Sequence, residues 1–482
     1  MIGLSYSLRT KGLVNLPGIT PASKKRAEDL LLHDAENHHC YFLPRIGLHN
    51  HLSHHILAAY DLGASATLLQ KIYDDDSPSE QPFYLEEKDK VITVTEENWA
   101  QYLSNANAYG AFVKFFADQI RSHGVTAVIE KFVFSVDANK DGRGMLVRFV
   151  SGALHPFIQA GYGAEFGNDT MIATGLAQTA VHDAVPISIF DLTEPTDQAS
   201  KGVSLLEVLR NLYDSEALTP PMPYDPDALF RVRRDATVAG ERATEIRRIC
   251  SLYDISGLSD AEIDKKVEEC ITVSILLMCA TGKEGRKPRL DFFLMHLVTS
   301  SLFLPSVIKA VSNPVYKVML IRAFVTVLVL YTLARGRPRL NIDLLMSATE
   351  HPRPPINASQ LHNPDKSAMG SPLEDEEYNP WPAMLAGVLY HPDPHAIKVM
   401  RTFAFATQHY GTAPAGKLTG AFMSGDSSKE THPGTAKMDG TIFVRAAGMM
   451  MDYQGWVTYG QKALGDWDRS ALGWDAAWDN HD

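Results

Sequence analysis

The run His49-Asn50-His51-Leu52-Ser53-His54-His55 places four of the chain's 18 histidines within seven residues. It leads into a helix-like stretch over 56–62. At about 100° per residue, His51, His54 and His55 share one face with Ala58 and Leu62. His55 falls near the middle of the apolar side, and His49 points away. Imidazoles turned toward a core are a signal of metal ligation.

Further histidines lie in apolar, helix-like surroundings. His155 stands in Gly152-Ala-Leu-His-Pro-Phe-Ile-Gln159. Pro156 suits a first helical position, which puts His155 at the helix mouth with Gln159 and Tyr162 on the same face. His182 follows Gln178-Thr-Ala-Val, and His296 is flanked almost wholly by apolar residues. Taken singly, each reads as well as a satisfied core histidine. The last cluster is His391-Pro-Asp393-Pro394-His395-Ala-Ile-Lys398. Asp393 is a good N-cap, so His395 and Lys398 stand one turn apart. Lys398 has two readings: it reaches water or a carboxylate such as Asp393, or it is carbamylated by CO₂ and becomes an anionic oxygen ligand. Histidines from four separated segments can surround one interior point of a helical bundle. The ExxH pairs of di-iron bundles are missing, so a single Fe, Mn, Zn or Cu ion fits better.

The elements that must position these residues are mostly helices. Helical patterns cover 24–34, 49–70, 96–122, 171–183, 201–213, 239–253, 259–281, 289–311, 315–335, 380–390, 394–410 and 439–464. Strand-like runs cover only 91–94 and 125–136. Segments 351–380 and 411–438 read as long loop insertions. The expectation is mainly α: one bundle-like domain over 1–482 with a few short strands.

Composition removes several classes of function. A net charge of −12 with no dense basic patch argues against nucleic acid. The four cysteines are scattered, which indicates neither a disulfide framework nor a cysteine zinc site. No signal-like h-region is seen near the N-terminus, and the apolar stretch 318–334 reads as a buried helix, so a cytoplasmic protein without membrane spans is expected. Asp137-Ala-Asn139-Lys-Asp141-Gly142 begins like a calcium loop, but Arg148 occupies the position of the bidentate acid, so a turn is expected. The sequence carries no GxGxxG, Walker or GxSxG signature.

The strings HNHLSHHILAAYDLGAS (49–65), HPFIQAGYGAEF (155–166), LAQTAVHDA (176–184), DFFLMHLVTSSLFLP (291–305) and YHPDPHAIKVMRT (390–402) resemble the questin oxidase-like family. The similarity runs from about 40 to 460. Gln159 departs from the pattern, standing where a second histidine is expected. The resemblance implies a fungal polyketide enzyme that opens anthraquinone-type rings with O₂. The family has been described in Baeyer–Villiger terms, which usually imply a flavin, yet no flavin fingerprint is present here.

Together these readings predict a non-heme Fe(II) oxygenase, with Mn or Zn as alternative ions. The predicted ligands are His51 or His55, then His155, His296 and His395, with Lys398 as a carbamate. His54, Tyr162 and His182 are candidates for substrate or supporting contacts. Phe292, Phe293, Trp381 and Phe405 are candidate aromatic walls for a flat polyketide substrate. One alternative is an NADPH- and flavin-dependent Baeyer–Villiger monooxygenase. Another is a noncatalytic polyketide-binding protein with structural zinc. The oligomeric state stays open.

Overall fold

Apolar residues at helical spacing, many of the runs opened by a side-chain cap, build most of this chain. The computed structural model describes residues 3–44, 47–193, 202–253, 255, 259–356, 364–465 and 467–479. The helices that matter for the site are α1 Pro21–Asn37, α2 Leu52–Asp61, α3 Ala66–Asp76, α4 Tyr109–His123, α5 His155–Phe166 and α6 Asp169–Val181. They continue with α7 Asp260–Cys279, α8 Phe292–Ser301, α9 Leu304–Ala310, α10 Pro314–Ala334, α11 Pro394–Tyr410 and α12 Ile442–Gln454. Among the described residues the strands form two small antiparallel pairs, β1 Tyr41–Leu43 with β2 Leu48–His49 and β3 Phe422–Met423 with β4 Asp426–Glu430. The mainly α expectation holds.

Caps fix where the site helices begin. Asp291 accepts hydrogen bonds from the backbone N–H groups of Phe293 and Leu294, which starts α8. Asp393 does the same for His395, and Pro394 supplies the preset first turn of α11. α10 is apolar on nearly every side and is a core helix. It is long and apolar enough to cross a membrane, but 89% of its most apolar window is buried in the protein. α5 and α6 pack closely because Gly175 has no side chain. A Cβ there would lie 2.6 Å from the Ala160 backbone nitrogen.

α2, α5, α8 and α11 form a closed circuit: α2 packs on α5, α5 on α8, α8 on α11, and α11 back on α2. The interior of this circuit receives the histidines.

Several sequence expectations are corrected. Residues 125–136 are helical, Val125–Ile129 continuing into a π turn at Glu130–Phe134. Val128, Ile129, Phe132, Val133 and Phe134 are buried, and the 128–129 and 132–133 pairs have a helical spacing that the alternation of valines disguised. No strand forms over 91–94. The helix expected over 49–70 breaks after Leu62, because Gly63 takes a left-handed φ of 85°. The helix expected over 439–464 ends at Gln454, before Gly455 at φ 95°. The 411–438 loop contains the β3–β4 hairpin, and part of the 351–380 loop, 357–363, lies outside the described residues.

Candidate functional site

Four imidazoles, one from each side of the helical circuit, face a common interior. Their ring centroids form a closed cycle: His51 to His155 4.9 Å, His155 to His296 5.0 Å, His296 to His395 5.3 Å and His395 to His51 4.5 Å. His51 precedes α2, His155 opens α5, His296 lies within α8 and His395 is in the first turn of α11.

Three of the four rings are fixed in the same tautomer. Nδ1–H donates to the Gly152 carbonyl from His155 (2.6 Å), to the Phe292 carbonyl from His296 (2.7 Å) and to Asp393 Oδ1 from His395 (2.7 Å). Burial holds all three below the ordinary imidazole range, which favours the neutral ring; neighbouring cationic groups reinforce this at His155 and His296, and the Asp393 carboxylate opposes it at His395. A neutral ring protonated on Nδ1 keeps its lone pair on Nε2. His155 Nε2 lies 3.0 Å from His51 Nε2. His296 Nε2 and His395 Nε2 are buried without a hydrogen-bond partner. Buried acceptors that face one another and lack donors suit a cation. Among the described residues no group of three or more His, Cys, Asp or Glu side chains is already placed to hold a metal ion.

Lys398 completes the cluster. It is buried, and its Nζ stands 3.1 Å from His51 Nδ1. Burial pushes its amine down to about 7, against the opposing pull of Asp393.

The turn that feeds His155 into the site is strained. Gly152, Ala153 and Leu154 all take left-handed φ values of 56°, 52° and 60°. Ala153 and Leu154 each hold that conformation at a cost of about 1–2 kcal/mol. The Tyr331 hydroxyl supports the turn by accepting from the Ala153 N–H at 3.0 Å. Gly152 has a second duty, since a Cβ there would lie 2.0 Å from His182 Nε2.

The remaining predicted residues divide. His54 is buried beside the cluster, 5.9 Å from His51 by ring centroid. Its Nε2–H donates to Gln159 Oε1 at 2.8 Å, which leaves Nδ1 as an unpartnered acceptor. Gln159, the departure from the family pattern, therefore fixes the His54 tautomer. Tyr162 is fully buried, stacked on His54 at 5.2 Å and tilted against Phe303 at 4.5 Å. His182 faces His49, Nε2 to Nε2 at 3.1 Å.

Two placements differ from the helical reading. His55 is not brought into the cluster; it turns to α3, where Nδ1 bonds Asp76 at 2.9 Å. His49 does not point away; its ring stacks on His155 at 3.9 Å and 8°. Both follow from His51 being the residue before the helix and His49 lying in β2. Extended backbone puts alternate residues on one side, so the 49–51 spacing was the available signal. Of the aromatic candidates, Phe292 packs against His296 at 4.8 Å and His395 at 5.4 Å. Phe293 stacks on Phe230, Phe405 is tilted against His409, and neither ring packs on the four imidazoles of the cycle. No contact ties Trp381 to the cluster.

Asp61, Glu165 and Arg401, which the sequence reading did not single out, form a buried ion network next to Tyr162. Arg401 Nε donates to Asp61 Oδ2 at 2.9 Å, and Nη2 contacts Glu165. The two carboxylates also receive the backbone N–H groups of Leu13, Val14 and Asn15, tying the N-terminal segment to the bundle.

A family model described as questin oxidase-like matches residues 48–403, a span that contains every residue of the cluster. The chain belongs to the questin oxidase-like family. Among its relatives, a questin oxidase of Aspergillus terreus is 27% identical over 326 residues, covering 67% of this chain and 71% of the relative. Oxidoreductase AflY of Aspergillus parasiticus is 27% identical, covering 62% and 60%. Baeyer–Villiger oxidase ptaJ of Pestalotiopsis fici is 30% identical, covering 61% and 65%. This questin oxidase-like chain thus spans less than two thirds of the length of the latter two.

Proposed function

We propose that the chain is a non-heme iron oxygenase that cleaves a C–C bond of the reduced, hydroquinone form of an anthraquinone-type polyketide with O₂, both oxygen atoms entering a benzophenone-type acid. The observation that carries the reading is the closed cycle of four imidazoles, in which His296 Nε2 and His395 Nε2 have no hydrogen-bond partner and His51 Nε2 and His155 Nε2 meet each other. Donors about 2.1 Å from one ion put neighbouring ring centroids roughly 4.6–5.3 Å apart, and two donors at about a right angle roughly 3.0 Å apart. The observed cycle of 4.5–5.3 Å and the 3.0 Å His51–His155 separation fit that set. His51, His155, His296 and His395 would hold Fe(II), with Mn or Zn as alternatives. Fe(II), when bound, supplies the electrons and spin coupling that ground-state O₂ needs to react with a closed-shell phenol.

The protein's own groups do the rest. Gly152, Phe292 and Asp393 keep protons on Nδ1 of three rings and so keep their Nε2 lone pairs available. His54 Nδ1, held as a free acceptor by Gln159, accepts a hydrogen bond from a substrate hydroxyl. Tyr162 acts on His54 by stacking, and Phe292 gives a flat ring a surface beside His296 and His395. Lys398, poised as a neutral amine, adds CO₂: the Nζ–C bond forms, one proton leaves to water or His51, and a carbamate anion replaces the neutral amine.

Anaerobic loading with Fe(II), followed by ¹⁸O₂ and a hydroxylated anthraquinone chemically reduced to its hydroquinone, tests the reading. Two labelled oxygens in the ring-opened acid are expected, and His296→Ala should lose iron and turnover together. Full metal content and activity in His296→Ala would sink the site. Lys398→Ala should lose activity that bicarbonate plus a short carboxylic acid partly restores, and ¹³CO₂ should give a carbamate signal only when Lys398 is present. The names of relatives such as ptaJ favour a second reading, a flavin- and NADPH-dependent Baeyer–Villiger monooxygenase. It predicts one labelled oxygen, NADPH consumption and indifference to chelators.

A further inference from the structure

The C-terminal segment 467–470 lies beyond the family match at 48–403, yet it touches two sides of the imidazole cycle. Asp468 docks it: its N–H donates to the Leu290 carbonyl at 2.8 Å, and its carbonyl accepts from the Phe292 N–H at 2.7 Å. Its carboxylate pairs with Arg289 Nε at 2.8 Å. These contacts hold Trp467 and Arg469 in place at the mouth of α8.

Trp467 is 6% exposed, and its Nε1–H donates to Asp393 Oδ2 at 2.7 Å. The other oxygen, Oδ1, accepts both Nδ1–H and the backbone N–H of His395, at 2.7 and 2.8 Å. Arg469 stands 4.2 Å over the Phe292 ring, which packs on His296 and His395. The Phe292 carbonyl in turn takes the His296 Nδ1–H.

We propose that Trp467 is a positioning residue of the metal site, setting the orientation and donor strength of His395 through Asp393. The physical reason is the division of one carboxylate's charge between two donors. The indole N–H draws negative charge to Oδ2, so Oδ1 pulls less on the His395 proton. Without the indole N–H, Oδ1 pulls harder and the ring gains imidazolate character, which strengthens it as a donor. The segment 467–470 is then a working part of the site, although the family match ends before it.

The donor-strength half of this proposal rests on the metal reading, so the test separates the two. Wild-type protein, Trp467→Phe, Asp393→Asn and His395→Ala are titrated with Co(II), which serves as a paramagnetic probe. The hyperfine-shifted, exchangeable Nδ1–H signals are followed by proton NMR. The signal lost in His395→Ala belongs to His395. In Trp467→Phe that signal should move while the other shifted signals stay, and Asp393→Asn should weaken Co(II) binding about 10–100-fold. An unmoved His395 signal in Trp467→Phe overturns the proposal. Failure of the wild-type protein to bind Co(II) overturns the metal reading and the donor-strength half with it. The relay is still decided in metal-free protein, also where Trp467→Phe does not fold. There the Trp467 indole ¹H–¹⁵N resonance should shift upfield in Asp393→Asn, and an unshifted resonance ends the relay.

Discussion

Lys398 and Arg401 lie one turn apart on the same helix, and both are fully buried. Arg401 meets Asp61 and Glu165, and its guanidinium is raised even above its ordinary range by those carboxylates, against burial. Lys398 meets imidazoles, and burial lowers it to about 7. A cation with matched anions is structural: it ties α2, α5 and α11 to the N-terminal segment. An amine among neutral acceptors is a group kept at a cost to the fold, the usual mark of a working site.

The largest effect is expected on the structural side. Arg401→Leu leaves Asp61 and Glu165 buried without their cation, and breaking such a pair from one side costs about 3–5 kcal/mol. Soluble yield and the thermal midpoint should fall sharply. A variant as stable as wild type would mean that Asp61 and Glu165 do not depend on Arg401, and the contrast would collapse.

Lys398 should behave in the opposite way. Lys398→Met keeps the length and removes a buried amine that lacks an anion. The metal-free variant is expected to gain about 1–3 kcal/mol in denaturant unfolding and to lose turnover. A loss of stability would place Lys398 with Arg401 as a structural residue. Retained turnover would remove it from the site.

The same contrast shows what the sequence could carry. His155, His296, His395 and Lys398 were legible because caps and apolar periodicity set their helices, and side-chain direction follows from helical phase. His55 was misassigned because the helical phase was extended back to His51, which lies outside the helix. The actual split sends His54 toward the cluster and His55 toward Asp76. Asp61 and Glu165 carried no local signal, since their partner Arg401 is distant in sequence and only the packing of α2, α5 and α11 unites them. Trp467 was equally silent, because its partner Asp393 looked complete as a helix cap. The family resemblance found the motifs; it did not supply the tautomers, which depend on three separate acceptors.

Glu80 offers the mildest test, as the acidic counterpart of Lys398. Its carboxyl is pushed up to about 9, by burial first and then by the Asp34 and Asp76 carboxylates, and Oε2 has no partner. A carboxyl raised on folding binds more protons in the folded than in the unfolded state. It therefore favours the fold below its ordinary value of 4.5, and that contribution is lost as pH rises through 9. Glu80→Gln removes the titration and keeps the shape. Glu80 is only partly buried, so the gain of the variant over wild type should be about 1 kcal/mol near pH 9. It should shrink toward zero near pH 5, read as the difference between thermal midpoints at the two pH values. A difference that does not change with pH would mean Glu80 is solvated in both states. Lys398 would then be the better example of an ionisable group held neutral by its surroundings, because it is the more deeply buried of the two.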